Sequence, residues 1–332
     1  MIDRRVLLAA TLAALPVGAM SASPGWLSSA SSARLKPFAS FLLDVRSQAS
    51  QLGVSREILD VALALDRPDA RVLELDRHQL EFTLTWNQYR QRVLTDQKIQ
   101  AARTAYQSRL SLLTGVWERY HVDPRIAVGI WGLESNYGSR TGSFGVIDSL
   151  ATLAFDGRRA AFFRTELLDA LRILQQRDIE PSRMLGSYAG AMGQPQFMPS
   201  SYARYAVDYD RDGRRDIWSS EADVLASIAN YLSQNGWTAD APWGQAVSVP
   251  PGLDLSLIGR KSGRLLGDWM RIGVRRADGT RFSRHDVSGV LLLPDGAAGD
   301  AFMVYDNFDV IRRYNPSDFY ALAVGVLGNA VG

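Results

Sequence analysis

The stretch DPRIAVGIWGLESNYGSRTGSFG (residues 123–145) decides how this chain reads. Asp123 is a good helix N-cap and Pro124 suits the first helical position. The helix that follows is largely apolar and meets a run rich in Gly, Ser and Asn just after Glu134. At about 100° per residue, Glu134 falls between Ala127, Ile130 and Trp131, the side expected to face the core. An ionised carboxylate is costly there and its pKa is pushed upward. An acid that keeps its proton near neutral pH is what general acid catalysis needs. A glutamate at a helix end is, however, more often a surface ion-pair partner, so other parts of the chain must decide its role.

Composition narrows the chemistry. The 332 residues are 46% hydrophobic and 22% charged, enough for a sizeable core in one large domain or a few smaller ones. The net charge of +2 is too small to argue for nucleic acid, and no basic block tracks along one helix, so no nucleic-acid partner is expected. The absence of cysteine removes thiol nucleophiles, Cys-based zinc sites, redox motifs and a lipid-modified cysteine anchor. His78, His121 and His285 show no HExxH spacing, and no GxSxG marks a serine nucleophile. Catalysis therefore falls to carboxylates.

Residues 1–22 read as a cleavable export signal: Arg4-Arg5, the apolar run VLLAATLAALPVGAM, then small residues. The run is too short for a membrane span, so no stable membrane anchor is expected. Arg4-Arg5 followed by Val6 and Leu7 also permits a twin-arginine route. Residues 23–33, rich in serine, read as a flexible lead-in.

Residues 34–122 read as a helical domain that packs with the core. Ser55 caps a helix beginning REILDVALAL. Thr95 precedes a long helix in which Ile99, Tyr106, Leu110, Leu113, Trp117 and Tyr120 recur at helical spacing. Across 123–243, Asp156 is the expected cap of a helix with Phe163, Leu167, Leu171 and Leu174 inward and Arg164, Glu166, Asp169 and Arg172 outward. Asn235-Gly236 stops the amphipathic helix 222–234. Beyond Trp243, prolines, glycines and the runs GVLLLP and AFMVY predict a small strand-bearing subdomain over 244–305. Residues 306–332 return to helix, with Ser317 as a cap. The fold class is mainly α (α+β).

Three constellations carry chemistry. GSYAGAMGQPQFMPSSY (186–202) places Ser187 and Gln196 beside Met192, Phe197 and Met198, neutral hydrogen-bonding groups and apolar faces of the kind a sugar ring needs. A structural turn is the alternative reading. DYDRDGRRDIWSSEAD (208–223) sets Asp208, Asp210, Asp212 and Gly213 at positions one, three, five and six of a calcium loop, with the Arg214 carbonyl next. Ser219 stands where a bidentate glutamate normally closes such a site, which leaves closure to Asp223. Oxygen ligands favour calcium in a structural role, against a solvated acidic turn. Trp86-Asn87-Gln88-Tyr89, Tyr231, Asn315 and Tyr320 supply further aromatic and amide groups.

Together, ESNYG with Glu134, the 186–202 run, the Asp-rich loop, IANYLSQNGW (228–237) and YDNFDVIRRYNPSDFY (305–320) resemble the membrane-bound lytic murein transglycosylase B family over roughly residues 35–330. The resemblance implies a lysozyme-like helical core (123–243, with the calcium-type loop 208–223), an accessory helical domain, a small β subdomain and a C-terminal segment (306–332) returning to the core. It implies Glu134 as the single catalytic acid and then base, with no catalytic cofactor. It puts Tyr89, Ser187, Gln196, Tyr231, Asn315 and Tyr320 along a glycan cleft, and a structural calcium on Asp208, Asp210, Asp212, the Arg214 carbonyl and Asp223. Gln194-Pro195 interrupts the family's usual glycine/aromatic pair. The implied partners are peptidoglycan glycan strands and proteins of the cell-wall machinery, in the periplasm. The implied reaction breaks the β-1,4 bond between N-acetylmuramic acid and N-acetylglucosamine and forms a 1,6-anhydro ring. A hydrolytic muramidase on the same fold and a non-catalytic, calcium-dependent peptidoglycan-binding protein are the competing readings.

Overall fold

Capping side chains mark where many of the helices begin. The computed structural model describes residues 28–77 and 84–331, with side chains from Phe38 onward. The expected export signal lies outside the described residues, and α1 (Ser28–Gln51) takes in residues 28–33 of the expected lead-in as helix. Ser55 Oγ accepts from Ile58 N at 3.4 Å to start α2 (Arg56–Ala62), and Asp69 Oδ1 accepts from Arg71 N at 2.7 Å at the head of α3 (Ala70–Arg77). Thr85 and Gln88 form a reciprocal capping box on α4 (Trp86–Val93). Thr95 caps α5 (Asp96–Gln107) through Lys98 N. The single long helix expected here is broken. Ser108 Oγ donates to Thr104 O at 2.6 Å, Arg109 leaves helical geometry at φ −125°, and α6 (Leu110–Tyr120) begins afresh.

Asp123 starts α7 (Pro124–Ser135) as expected, accepting from Arg125 N at 2.9 Å. Next come β1 (Phe144–Gly145), α8 (Val146–Asp156), α9 (Ala160–Gln175), β2 (Leu185–Gly186), α10 (Pro199–Tyr205) and α11 (Glu221–Gln234). Asp156 does not cap α9. It is the last residue of α8, which Gly157 stops at φ 92°, and Arg159 leads into α9 without a side-chain cap. The chain continues through β3 (Gly244–Ser248), β4 (Arg264–Leu265), α12 (Leu266–Ile272), β5 (Arg275–Arg276), β6 (Ser288–Leu292) and β7 (Ala301–Val304) to α13 (Asp306–Tyr314) and α14 (Asp318–Asn329). Ser317 Oγ caps the last helix by accepting from Tyr320 N at 3.3 Å.

By their contacts these elements fall into two units, each built from two stretches of chain. The first takes residues 28–77 and 134–227, the second 84–133 and 228–331. In the first unit, α8 and α9 pack together, α1, α2 and α10 pack on α9, and α3 packs on α8. Phe38, Leu150, Phe163 and Leu167 are buried in that core, with the Phe38 and Phe155 rings edge to face at 5.1 Å. Glu166, expected on the outer face of α9, is instead 3% exposed. It accepts from Ser200 N at 2.9 Å and Ser200 Oγ at 2.7 Å, which supplies the cap that Met198 cannot give α10. Burial raises the Glu166 carboxyl above its ordinary range, with the two Ser200 bonds opposing.

In the second unit the strands form an antiparallel sheet in the order β4-β6-β7-β3-β5, all within 244–304. Its core gathers Trp269, Met270, Val274, Leu291 and Met303, and Trp269 Nε1 donates to Gly289 O at 3.0 Å. Trp86, first residue of α4, is fully buried and donates from Nε1 to Asp300 Oδ2 at 2.8 Å, while Asp295 Oδ1 accepts from its backbone N. Helix α7 is fitted against α14 by small residues. A Cβ on Gly129 would lie 2.8 Å from Val324 O, and one on Gly328 would lie 3.1 Å from Arg125 O. That close approach fixes the rotation of the helix whose penultimate residue is Glu134. Among the described residues no helix is long and apolar enough to cross a membrane.

Candidate active site

The end of α7 is built with unusual backbone. Ala127, Ile130 and Trp131, the predicted neighbours of Glu134 around the helix, are fully buried. Glu134 itself is half-buried, because the helix ends one residue later and leaves it less covered. Asn136, Tyr137 and Gly138 then follow in the left-handed region at φ 50°, 58° and 82°. Two of the three carry a Cβ, and each such residue costs on the order of 1–3 kcal/mol unless its surroundings hold it. The holding contacts are visible. Ser135, fully buried, accepts from Gly138 N through Oγ at 3.1 Å and from Arg140 N through its carbonyl at 2.8 Å. Asn136 Nδ2 donates to Ser139 Oγ at 2.8 Å. Burial drives the Tyr137 hydroxyl well above the ordinary phenol range.

The 186–202 run packs directly on this turn. It is an ordered nest of bridges, Gly186 with Met192 and Met192 with Phe197, closed by Ser187 N donating to Ala191 O at 2.8 Å. Gln194 extends from it. Its backbone N donates to Ile217 O and its Nε2 to Trp218 O, both at 2.9 Å. Its Oε1 lies where a Cβ on Gly138 would come within 2.5 Å. Gln194 thus stands between the Asp-rich loop and the turn after Glu134, and its long amide does the spacing. Gln196, at φ 51°, donates through Nε2 to Thr141 O at 3.0 Å and Gly193 O at 2.8 Å. Its Oε1 is left as an acceptor.

Some expected contacts are not available. Met192 and Phe197 are 0% and 2% exposed, so they belong to the core and offer no face to a sugar. Ser187 is buried and its Oγ accepts from Ala191 N at 3.1 Å. Asp148 lies on the exposed side of α8, and Glu166 is committed to Ser200.

The remaining expected glycan residues lie in the second unit. Tyr231 is buried, donates to Arg313 O at 2.6 Å and packs edge-on to Tyr314 at 4.7 Å. Asn315 keeps a buried Oδ1 with no hydrogen-bond partner, a cost that a ligand donor would relieve. Tyr320 is buried beside Phe319, and the Phe319 ring lies 5.8 Å from that of the half-buried Tyr89. The structure groups Glu134, Ser187 and Gln196 in one unit, and Tyr89, Tyr231, Asn315 and Tyr320 in the other.

In the Asp-rich loop, Asp208, Asp210 and Asp212 each offer an oxygen within 4.8 Å of the others. Arg211 and Gly213, at φ 63° and 91°, wrap the chain around them. Oxygen-only donors at this spacing fit a hard divalent cation. Asp223 falls outside that group of three. It is fully buried, and its two oxygens accept from Tyr209 N and Asp216 N, both at 2.7 Å, so it ties the two ends of the loop together. Burial, opposed by those donors, pushes its carboxyl up to about 6. The guanidinium of Arg214 pairs with Asp212 at 3.3 Å. Arg215, in place of the usual apolar residue, pairs with buried Asp178 at 2.7 Å and lies over the Tyr202 ring.

An apolar helix ending in one carboxylate, a glycine-rich amide-bearing loop packed on the turn that follows, and an aspartate loop tied to it through Gln194 make up the candidate site. The chain belongs to the transglycosylase SLT domain family, matching it over residues 37–329. The membrane-bound lytic murein transglycosylase B of Escherichia coli (strain K12) is 35% identical over 253 residues, covering 74% of this chain and 67% of the relative. SltB3 from Pseudomonas aeruginosa, solved in complex with NAG-anhNAM-pentapeptide, is 44% identical with a TM-score of 0.85, over 89% of this chain and 79% of that one. The Escherichia coli lytic transglycosylase Slt35, solved in complex with calcium, is 32% identical with a TM-score of 0.74, over 89% and 92%. The protein is an enzyme that cleaves peptidoglycan, a lytic murein transglycosylase with a lysozyme-like helical core and a small β part.

Proposed function

We propose that Glu134 performs the reaction alone, first as acid and then as base. Its carboxyl O–H protonates the glycosidic oxygen leaving with N-acetylglucosamine, the bond from that oxygen to C1 of N-acetylmuramic acid breaks, and C1 takes on oxocarbenium character. The carboxylate then removes the proton of the C6 hydroxyl as O6 attacks C1. This closes a 1,6-anhydro ring and returns Glu134 to its starting state, with no water consumed. The observation that carries the assignment is the strained turn 136–138, held by Ser135 and packed on Gln194 directly after this one carboxylate. An anhydro sugar in the complex of the 44% identical SltB3 supports the product. In the unit of Glu134, Gln196 Oε1 would accept from the sugar, and Ser187, whose Oγ accepts from Ala191 N, would brace the loop that carries it; in the other unit Tyr89, Tyr231, Asn315 and Tyr320 are the proposed glycan contacts, Asn315 through its unpartnered Oδ1. Mass spectrometry of products from purified sacculi tests this reading. Muropeptides ending in anhydromuramic acid, one water lighter than the reducing form, are expected, and reducing ends would assign a hydrolytic muramidase instead.

Murein is the substrate, so the periplasm is the proposed location, reached through the export signal expected in residues 1–22. The 208–212 loop is proposed to hold a structural calcium on Asp208, Asp210 and Asp212, with the Arg214 carbonyl as a further ligand and Asp223 buttressing the loop. Calcium at about a hundred times its Kd would add about 2.7 kcal/mol, a rise of roughly 4 °C in Tm over the chelated protein. Identical melting with calcium and with chelator would remove the ion from the account.

A further inference from the structure

A pocket of about 530 Å³ opens within the second unit, lined by none of the proposed catalytic, glycan-binding or metal-binding residues. The side chains that matter are Tyr106 of α5, Trp117 of α6, His121 just beyond it, Arg125 at the head of α7, and Trp237 and Asp240 between α11 and β3. Its walls are fixed. Asn307, 1% exposed, accepts from Thr238 N at 2.8 Å and donates to the carbonyls of Thr238 and Ala241 at 2.9 and 2.7 Å, which locks the loop carrying Asp240. Arg125 is clamped by Asp123, Nε to Oδ1 at 3.0 Å and Nη2 to Oδ2 at 2.7 Å. The His121 ring stands edge-on to Trp117 at 6.3 Å.

The polar tips on these walls are unspent. Among the described residues the side chains of Tyr106, Trp117, His121, Trp237 and Asp240 have no hydrogen-bond partner, and Trp117 is 42% exposed. Two indole faces, two indole N–H donors, a phenol, an imidazole and a carboxylate therefore converge on one preformed space. Arg125 and Asp123 cancel each other, so the pocket offers a polyanion no net attraction. A neutral, polyhydroxylated ring uses the whole set, with its CH faces on the indoles and its hydroxyl and acetamido groups on the free tips.

We infer that this pocket is a second carbohydrate site, which holds N-acetylated sugars of the murein strand apart from the bond being cleaved. It rests on the chain acting on murein and not on the role of Glu134. A second foothold keeps the enzyme on an insoluble polymer by raising the local concentration of strand. The test uses the full chain, sacculi stripped of their stem peptides and a soluble murein tetrasaccharide. Trp117→Ala is expected to weaken retention on stripped sacculi about tenfold. Asp240→Asn, a change the left-handed backbone at that position accepts, is expected to weaken it a few-fold. Tm should stay unchanged, and tetrasaccharide cleavage should stay within about twofold of the parent. Unchanged retention in both variants would overturn the inference. So would a loss seen only on peptide-bearing sacculi, which would make the ligand a peptide, or a loss of tetrasaccharide cleavage, which would make the pocket part of the cleavage site. Failure of the parent protein to cleave the tetrasaccharide would count against the reading of Glu134 and leave the retention result standing by itself.

Discussion

Release of anhydromuropeptides from purified sacculi is expected to fall by about a thousandfold or more in Glu134→Gln, with no change in Tm. Proton transfer by one positioned group contributes about 10²–10⁴ to rate, and here the same carboxyl serves both bond breaking and ring closure. Glutamine keeps the shape and hydrogen-bonding capacity of the half-buried side chain but neither gives nor takes a proton at the required steps. Ser135, Asn136 and Gln194 hold the turn at 135–138, and glutamine keeps the size of the glutamate, so the fold should respond little. Binding to sacculi should survive. A variant that releases product at the parental rate would move the chemistry to another residue, and one that melts earlier would make Glu134 structural.

The second large effect concerns stability. Gly142→Ala is expected to cost about 3–4 kcal/mol, seen as a fall in Tm of roughly 5–6 °C. Gly142 sits at φ 91°, and a Cβ there would lie 2.0 Å from Gly186 O and 2.7 Å from Ser187 N. Both obstacles are backbone, and Gly186 is locked by its pairing with Phe144 and its bridge to Met192, so neither can swing away. The residue before it, Thr141, gives its carbonyl to Gln196, so the displacement should also reduce activity. Gly157→Ala is the control. It has nearly the same backbone at φ 92° but nothing within 4 Å of the added carbon, and it should cost only about 1 kcal/mol of conformational strain. Equal melting of the two variants would refute the close contact between Gly142 and the 186–187 backbone.

What the sequence disclosed was local. Ser55, Thr95, Asp123 and Ser317 all cap the helices expected of them, because a cap involves residues only three or so apart. The strand-bearing texture beyond Trp243 and the spacing of Asp208, Asp210 and Asp212 are likewise short-range signals. Contacts set by distant residues stayed hidden. Glu166 looked like surface charge until Ser200, 34 residues on, claimed it. Asp156 seemed free to cap α9, but α8 ran through it to Gly157. The left-handed run at Asn136-Tyr137 had a faint signal, asparagine being tolerant of that conformation, but tyrosine is not and needs tertiary packing to hold it there. Gln194 read as an interruption of the family pattern, and only the positions of Gly138 and Trp218 show what its length is for.

Both units are interleaved along the chain, and that has a consequence for biogenesis. The first is made from residues 28–77 and 134–227, the second from 84–133 and 228–331, so no single cut releases either one whole. During synthesis, α1 to α3 emerge with Phe38, Val45 and Val72 uncovered, and the α8–α9 pair they pack on arrives only after the whole of 84–133 has been made. The second unit waits longer still for its sheet and for α14. Neither can fold by the usual N-terminus-first sequence of whole domains, so apolar helix faces stay uncovered for most of translation and invite a chaperone.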